Sequence, residues 1–190
     1  VMKTLVDIMV ENNWRNDTHY EFGTDKEFNH RYCTSFYDIE FEKYKDNELR
    51  LLEIGVHRGG GLAVFHEYFQ NGLIYGVDPN DFGAEESCKN FKRIKIYKNN
   101  AYDEHFVYTL PSFDIIIDDG PHTKDSHIQT LSLYLQKLNK KGVLIIEDIS
   151  DMTWTEDYIK MIPNEMSYEI VDAREISGMS DSILFVVRNG

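Results

Sequence analysis

Five short apolar runs, too far apart to be joined by hairpins, constrain this chain more than any other feature. From Arg50 onward the segments RLLEIG, LIYGVD, RIKIY, FDIIID and GVLIIED are rich in branched residues and stop at Gly, Asp or Asn. Unbroken apolar runs of this length suit strands buried on both faces, as in a parallel sheet. The stretches between them are helical in pattern. The best covers residues 124–138, with Ile128, Leu131, Tyr134, Leu135 and Leu138 on one face, Thr123 as N-cap and Gly142 ending the loop beyond. His127 falls on the polar side of that helix and is expected to be solvated. Such alternation predicts an α/β doubly wound sheet. The end of the chain breaks the pattern. SYEIVDAR and SILFVVRN are separated by EISGMSD, too short for a helical crossover, so this pair should be antiparallel. The expected sheet has about seven strands, mostly parallel with the last antiparallel. Residues 1–49 carry no strong strand and should form a helical or lid segment, packed on the sheet or over its carboxyl edge. With the core over 50–190, the whole 1–190 reads as one domain.

Composition narrows the function. A net charge of −13 repels a phosphate backbone, so a nucleic-acid partner is disfavoured. The two cysteines, Cys33 and Cys88, form no cluster, which argues against a disulfide framework or a cysteine zinc site and for a reducing cytoplasm. No stretch approaches a membrane span, and the opening VMKTLVDIMVENNW lacks the apolar core of a signal peptide. A membrane partner is therefore not expected; homo-oligomer formation stays open.

In an open parallel sheet, ligands sit outside the carboxyl ends of the strands. The first strand runs into LLEIGVHRGGGLAVF. Gly55 permits a tight turn there, and Gly59, Gly60 and Gly61 permit close approach of backbone to a ligand. The second strand ends in GVDPN, where Asp78 can accept hydrogen bonds from both hydroxyls of a ribose. The glycines do not follow G-x-G-x-x-G, and no Lys-Ser/Thr pair follows them, so NAD and a phosphate-binding P-loop are both poorly supported. Glu53 is more telling. A carboxylate at that point can meet an ammonium, which S-adenosylmethionine has and NAD lacks. Glu53-x-Gly55-x-x-x-Gly59 followed by Asp78, with an antiparallel final pair, resembles the class I S-adenosylmethionine-dependent methyltransferases and their Rossmann-like core. The resemblance implies that Glu53, Gly55 and Gly59 line the methionine part of the cofactor, that Asp78 holds the ribose and that Asn100 contacts adenine.

Two more strand ends carry paired acids, IDDGPH at 117–122 and IIEDI at 145–149. Carboxylates from two strand ends suit a hard cation such as Mg²⁺, or Mn²⁺ in its place, which takes oxygen ligands and leaves sites for substrate. Asp119, Glu147 and Asp148 are the candidate ligands. Two neighbouring sugar hydroxyls can complete the shell, and His122 is placed to take the proton of the one that reacts. Asp118 should face the cofactor or brace the loop. Taken singly, each residue also fits an ordinary structural role: a turn, a cap, an exposed loop histidine. DDGPH, the later ED and the upstream FGTDKEFNHRYCTSFY resemble the magnesium-dependent sugar O-methyltransferases of macrolide biosynthesis, the mycinamicin and macrocin type. That resemblance implies methyl transfer to a hydroxyl of a sugar or polyol-containing small molecule. The alternatives are a catechol-type O-methyltransferase, a non-catalytic S-adenosylmethionine-binding module and a metal-dependent hydrolase. Thr24, Asp25, Lys26, His30 and Tyr32 belong either to a lid or to ordinary packing.

Overall fold

The computed structural model describes residues 3–15, 22–80 and 82–190, so parts of the 1–49 segment lie outside the described residues. In chain order the helices are α1 (Leu5–Asn12), α2 (Asp38–Phe41), α3 (Gly60–Tyr68), α4 (Ala84–Cys88), α5 (Glu104–Thr109), α6 (Lys124–Tyr134), α7 (Thr155–Met161) and α8 (Arg174–Ser177). A π-helical turn, Cys33–Tyr37, leads into α2. The strands are β1 (Leu49–Ile54), β2 (Gly72–Val77), β3 (Ile94–Tyr97), β4 (Phe113–Asp118), β5 (Leu138–Ile146), β6 (Met166–Asp172) and β7 (Ile183–Asn189).

They form one sheet in the order β3-β2-β1-β4-β5-β7-β6. The first five are parallel; β7 runs antiparallel to both β5 and β6. This is the fold class the sequence predicts, final antiparallel pair included. Strand order reverses between β1 and β4, which opens the crevice where such sheets bind ligands. Ile54 pairs with both Val77 and Asp118, and Asp118 pairs with Ile146. The residues that follow, Gly55, Asp78, Asp119 and Glu147, therefore leave the sheet at one level.

Alternate residues of the buried strands feed two cores. Leu51, Ile115, Ile117, Ile145 and Val186 pack with α1, α3 and the segment around Tyr32, Tyr37 and Phe41. Leu52, Ile116, Leu144, Ile146 and Phe185 pack against α5, α6 and α7. The N-terminal segment is thus part of the sheet's own core. A capping box closes α1: Asp7 N donates to Thr4 Oγ1 at 3.1 Å and Thr4 N to Asp7 Oδ2 at 2.9 Å.

Two local expectations are corrected. Thr123 does cap α6, but the helix stops at Tyr134 and Leu138 opens β5, paired with Phe113. Gly142 lies inside that strand rather than at the end of a loop. The register slips between Phe113 and Ile115, and a Cβ on Gly142 would stand 2.8 Å from the carbonyls of Asn139 and Asp114. His127 is buried, not solvated. Only 1% of it is exposed, and its Nδ1 lies 2.8 Å from the Tyr158 hydroxyl on α7. The inward face of α6 is polar in part, with Ser126, His127 and Thr130 beside Leu131 and Tyr134, because α7 supplies a partner for the imidazole. Burial pushes the His127 imidazole down to about 4.

Candidate active site

The turns after β1 and β4 interlock. Gly55 has φ 83°, and a Cβ there would sit 1.9 Å from the Asp119 carbonyl oxygen, while Asp119 N donates to Ile54 O at 2.8 Å. The glycines that follow serve the protein's own packing. A Cβ would strike Cys88 Sγ at Gly59, the Gly23 carbonyl at Gly60 and the Glu53 carboxylate at Gly61. Gly59, expected to line the cofactor, does not reach the cavity; Gly55 and Gly61 do. What the glycines admit is the Gly23 loop and a buried carboxylate, neither of which their spacing reveals.

A cavity of about 580 Å³ runs along this edge. Glu53, Asp78 and Asn100 line it toward β1, β2 and β3; Asp119, His122 and Asp148 line it toward β4 and β5. Asp78 also braces the β1 turn. Its Oδ2 accepts from Val56 N at 2.9 Å and His57 N at 3.1 Å, and its Oδ1 accepts from Asn80 N at 2.9 Å. Asn100 Oδ1 accepts from Tyr102 N at 3.0 Å, which sets the turn after β3. Asp118 departs from the expectation that it contacts cofactor. It is 1% exposed and points away from the cavity, accepting from Thr130 Oγ1 on α6 at 2.5 Å and from Gly120 N at 3.1 Å. It braces the loop, the other role open to it, because adjacent strand residues face opposite sides of a sheet. Burial pushes its carboxyl up to about 6, against the hydrogen bonds from Thr130 and Gly120.

Asp119, His122 and Asp148 offer ligand atoms within 4.8 Å of one another. His122 Nε2 lies 3.7 Å from Asp119 Oδ1, and His122 Nδ1 lies 3.7 Å from Asp148 Oδ2. Both spans are too long for hydrogen bonds. His122 Nδ1 is buried and has no hydrogen-bond partner among the described residues. His122 and Asp148 both have left-handed backbones, φ 54° and 55°, a strain that concentrates where function holds it.

Glu147, the third carboxylate of the expected trio, lies outside this group of ligand atoms and is engaged by other side chains. Glu147 is 1% exposed; Lys26 Nζ donates to its Oε2 at 2.7 Å and Tyr37 OH donates to its Oε1. Lys26 Nζ also donates to Asp119 Oδ2 at 2.6 Å and lies 3.3 Å from Glu53 Oε1. Burial raises the Glu147 carboxyl well above its usual value, with Lys26 opposing the shift. Burial works against the Lys26 ammonium too, but Asp119, Glu147 and Glu53 outweigh it and the pKa stands well above that of a free lysine. Tyr32 OH donates to Asp148 Oδ1 at 2.7 Å, and His30 Nδ1 lies 2.9 Å from Ser182 Oγ and 3.4 Å from Asp148 Oδ1. Thr24 and Asp25 line the cavity. The segment thus both packs and lines. Sequence reasoning missed Lys26 and Tyr37 as partners of the acids. The signal that pointed toward them was the upstream FGTDKEFNHRYCTSFY, which contains both residues but does not say which acid each would meet.

A family model described as a methyltransferase domain matches residues 52–149, about half of the chain. The chain belongs to this methyltransferase family. Among curated relatives of the methyltransferase domain, the 8-demethyl-8-alpha-L-rhamnosyl tetracenomycin-C 2'-O-methyltransferase of Streptomyces olivaceus is 29% identical over 139 residues, 70% of this chain and 36% of the relative. The demethylmacrocin O-methyltransferase of Streptomyces fradiae is 32% identical over 133 residues, 64% of this chain and 32% of the relative. The chain spans about a third of the length of these relatives. Among solved structures, the MycE methyltransferase from the mycinamycin biosynthetic pathway, in complex with Mg and SAH, superposes with a TM-score of 0.76 at 20% identity. The match covers 100% of this chain and 55% of that one and shows a shared fold. Among the described residues, no helix is long and apolar enough to cross a membrane.

Proposed function

We propose that the domain transfers a methyl group from S-adenosylmethionine to a hydroxyl of a sugar or polyol-bearing small molecule, with a divalent cation assisting. The observation that carries this reading is the single cavity that joins Glu53, Asp78 and Asn100 to Asp119, His122 and Asp148. The two ends have complementary chemistry. The β1–β3 end offers a carboxylate for an ammonium, another for a ribose, and the amide of Asn100. The β4–β5 end offers carboxylate oxygens to a hard cation and an imidazole for a proton. The relatives named as O-methyltransferases of a rhamnosyl tetracenomycin and of demethylmacrocin, and a structural neighbour in complex with Mg and SAH, support the same reading.

The residues present fit both groups. Glu53 would hold the amino group of the cofactor beside Gly61, Asp78 the ribose and Asn100 the adenine. Asp119 and Asp148 would hold Mg²⁺ or Mn²⁺ by oxygen, the donor such ions prefer. When bound, the cofactor supplies an activated methyl and the cation lowers the pKa of an acceptor hydroxyl. The chain's own residues do the rest. Glu53 and Asp78 fix one reactant, and Asp119 and Asp148 set where the other approaches, which turns an encounter into an aligned displacement. With Nδ1 shut off from solvent, His122 would accept the hydroxyl proton at Nε2, and Asp148 across from Nδ1 would stabilise the imidazolium formed. An acceptor with oxygens on adjacent carbons suits this arrangement. Thr24, Asp25 and Pro121 line the cavity together with the acids, and its aromatic rings are those of Phe82 and Tyr102.

S-adenosylhomocysteine should raise the melting temperature and NAD should not, because a ligand of the native state stabilises it by mass action. With S-adenosylmethionine and Mg²⁺, glycosides bearing vicinal hydroxyls should be methylated, their deoxy analogues should react poorly and EDTA should stop turnover. Calorimetry showing no S-adenosylhomocysteine binding at millimolar concentration would remove the reading.

A further inference from the structure

We infer that Lys26 is a positioning residue that acts as the resident counter-ion of the acid cluster and limits how tightly the site takes a divalent cation. The inference rests on the metal half of the function proposed above. Its ground is one ammonium that meets three carboxylates. Lys26 is 1% exposed, and its Nζ contacts Asp119 Oδ2, Glu147 Oε2 and Glu53 Oε1 at 2.6, 2.7 and 3.3 Å. Asp119 is therefore divided: Oδ2 belongs to the lysine and Oδ1 faces His122. Glu147 is engaged on both oxygens, by Lys26 and by Tyr37.

A lysine so placed has two opposed effects on a cation at Asp119 and Asp148. It helps by holding the Asp119 side chain in one rotamer. It hinders by placing a fixed positive charge against a shared ligand and by keeping Glu147 turned away. The hindrance dominates for a structural reason. The Asp119 backbone is already fixed by its hydrogen bond to Ile54 O and by its contact with Gly55, so losing the lysine frees little more than the two side-chain torsions of Asp119. Losing the charge leaves an unneutralised acid cluster in a poorly solvated place, where charge interactions are strong. Without metal, the same lysine keeps buried acids from facing one another unpaired, which would otherwise be strongly destabilising.

A purely structural lysine and a counter-ion lysine predict opposite signs. In Lys26→Met the apparent melting temperature without metal should fall, while the Kd for Mn²⁺, measured by calorimetry on the folded protein, should tighten by roughly tenfold or more. Lys26→Arg, which keeps the charge, should bind Mn²⁺ as the wild type does. A folded Lys26→Met protein with equal or weaker Mn²⁺ affinity overturns the inference. If that variant is unfolded at rest, Lys26→Gln provides the same comparison, and circular dichroism follows the Met variant as Mn²⁺ is added. Refolding by Mn²⁺ supports the counter-ion role, and failure to refold at millimolar Mn²⁺ overturns it. Wild-type protein that binds no Mn²⁺ at millimolar concentration removes the metal half of the proposed function and this inference with it. Wild type that binds Mn²⁺, beside a Met variant that binds it no better, removes this inference alone.

Discussion

The two ends of the cavity are built by different means. At the β1–β3 end the chain braces itself locally. Asp78 ties down the turn it faces through Val56 N, His57 N and Asn80 N, and Asn100 does the same for Tyr102 N. At the β4–β5 end the acids depend on side chains from the N-terminal segment: Lys26 for Asp119 and Glu147, Tyr37 for Glu147, Tyr32 for Asp148. A site that binds with backbone turns can be assembled strand by strand. A site that gathers like charges needs a donor from elsewhere, because buried carboxylates without partners are costly.

The comparison predicts that the two ends can be damaged separately. The largest effect should come from His122→Ala. General-base catalysis contributes about 10²- to 10⁴-fold, so the maximal rate of methyl transfer should fall by that range while S-adenosylhomocysteine affinity, measured by calorimetry, stays near wild type. A normal maximal rate would take the histidine out of the chemistry. Next comes Asp119→Asn. Removing a partner of a metal ligand costs about 10- to 100-fold in affinity, so removing a ligand should weaken Mn²⁺ binding by at least about that much and leave the cofactor Kd within a few-fold. Equal loss of both ligands would mean that the ends are one unit. Asp78→Asn should show the converse, because hydrogen bonds to a charged group are worth about 1.5–3 kcal/mol each. It should weaken S-adenosylhomocysteine by about 10- to 100-fold with Mn²⁺ binding unchanged; the reverse pattern would break the division of labour.

The smallest effect concerns stability alone and separates two histidines of one segment. His127 has no place in the cavity, and its folded pKa of about 4 lies below the unfolded value of 6.5. Between those values the unfolded chain binds more protons, so the stability that neutral His127 permits is fully present above pH 6.5 and is lost as pH falls toward about 4. Asp118, Asp148 and Glu147 have raised pKa values and pull the other way. The informative quantity is therefore a difference. The stability deficit of His127→Gln relative to wild type should shrink from pH 7 to pH 4, by at most about 3 kcal/mol. A deficit independent of pH, measured by urea unfolding, would mean that His127 titrates alike in both states.

Much of this was legible in the sequence because it is local. Branched apolar runs ending in Gly or Asp mark buried strands and their carboxyl ends, and the short EISGMSD linker forces an antiparallel return. Those two facts are enough to bring Glu53, Asp78, Asp119, Glu147 and Asp148 to one edge of a doubly wound sheet. What each residue does there was decided by contacts across long stretches of chain. Glu53 and Gly61 need one another; Gly60 leaves room for Gly23; His127 is buried because Tyr158 lies opposite. Asp118 and Asp119 are neighbours in sequence, yet the pleat sends one to Thr130 and the other to the cavity. Lys26 reaches Glu147 from 121 residues away. A strand's end is set by its own residues and their immediate neighbours, whereas the partner of a buried charge is whichever group the packed chain brings within reach. Only the tertiary structure could assign it.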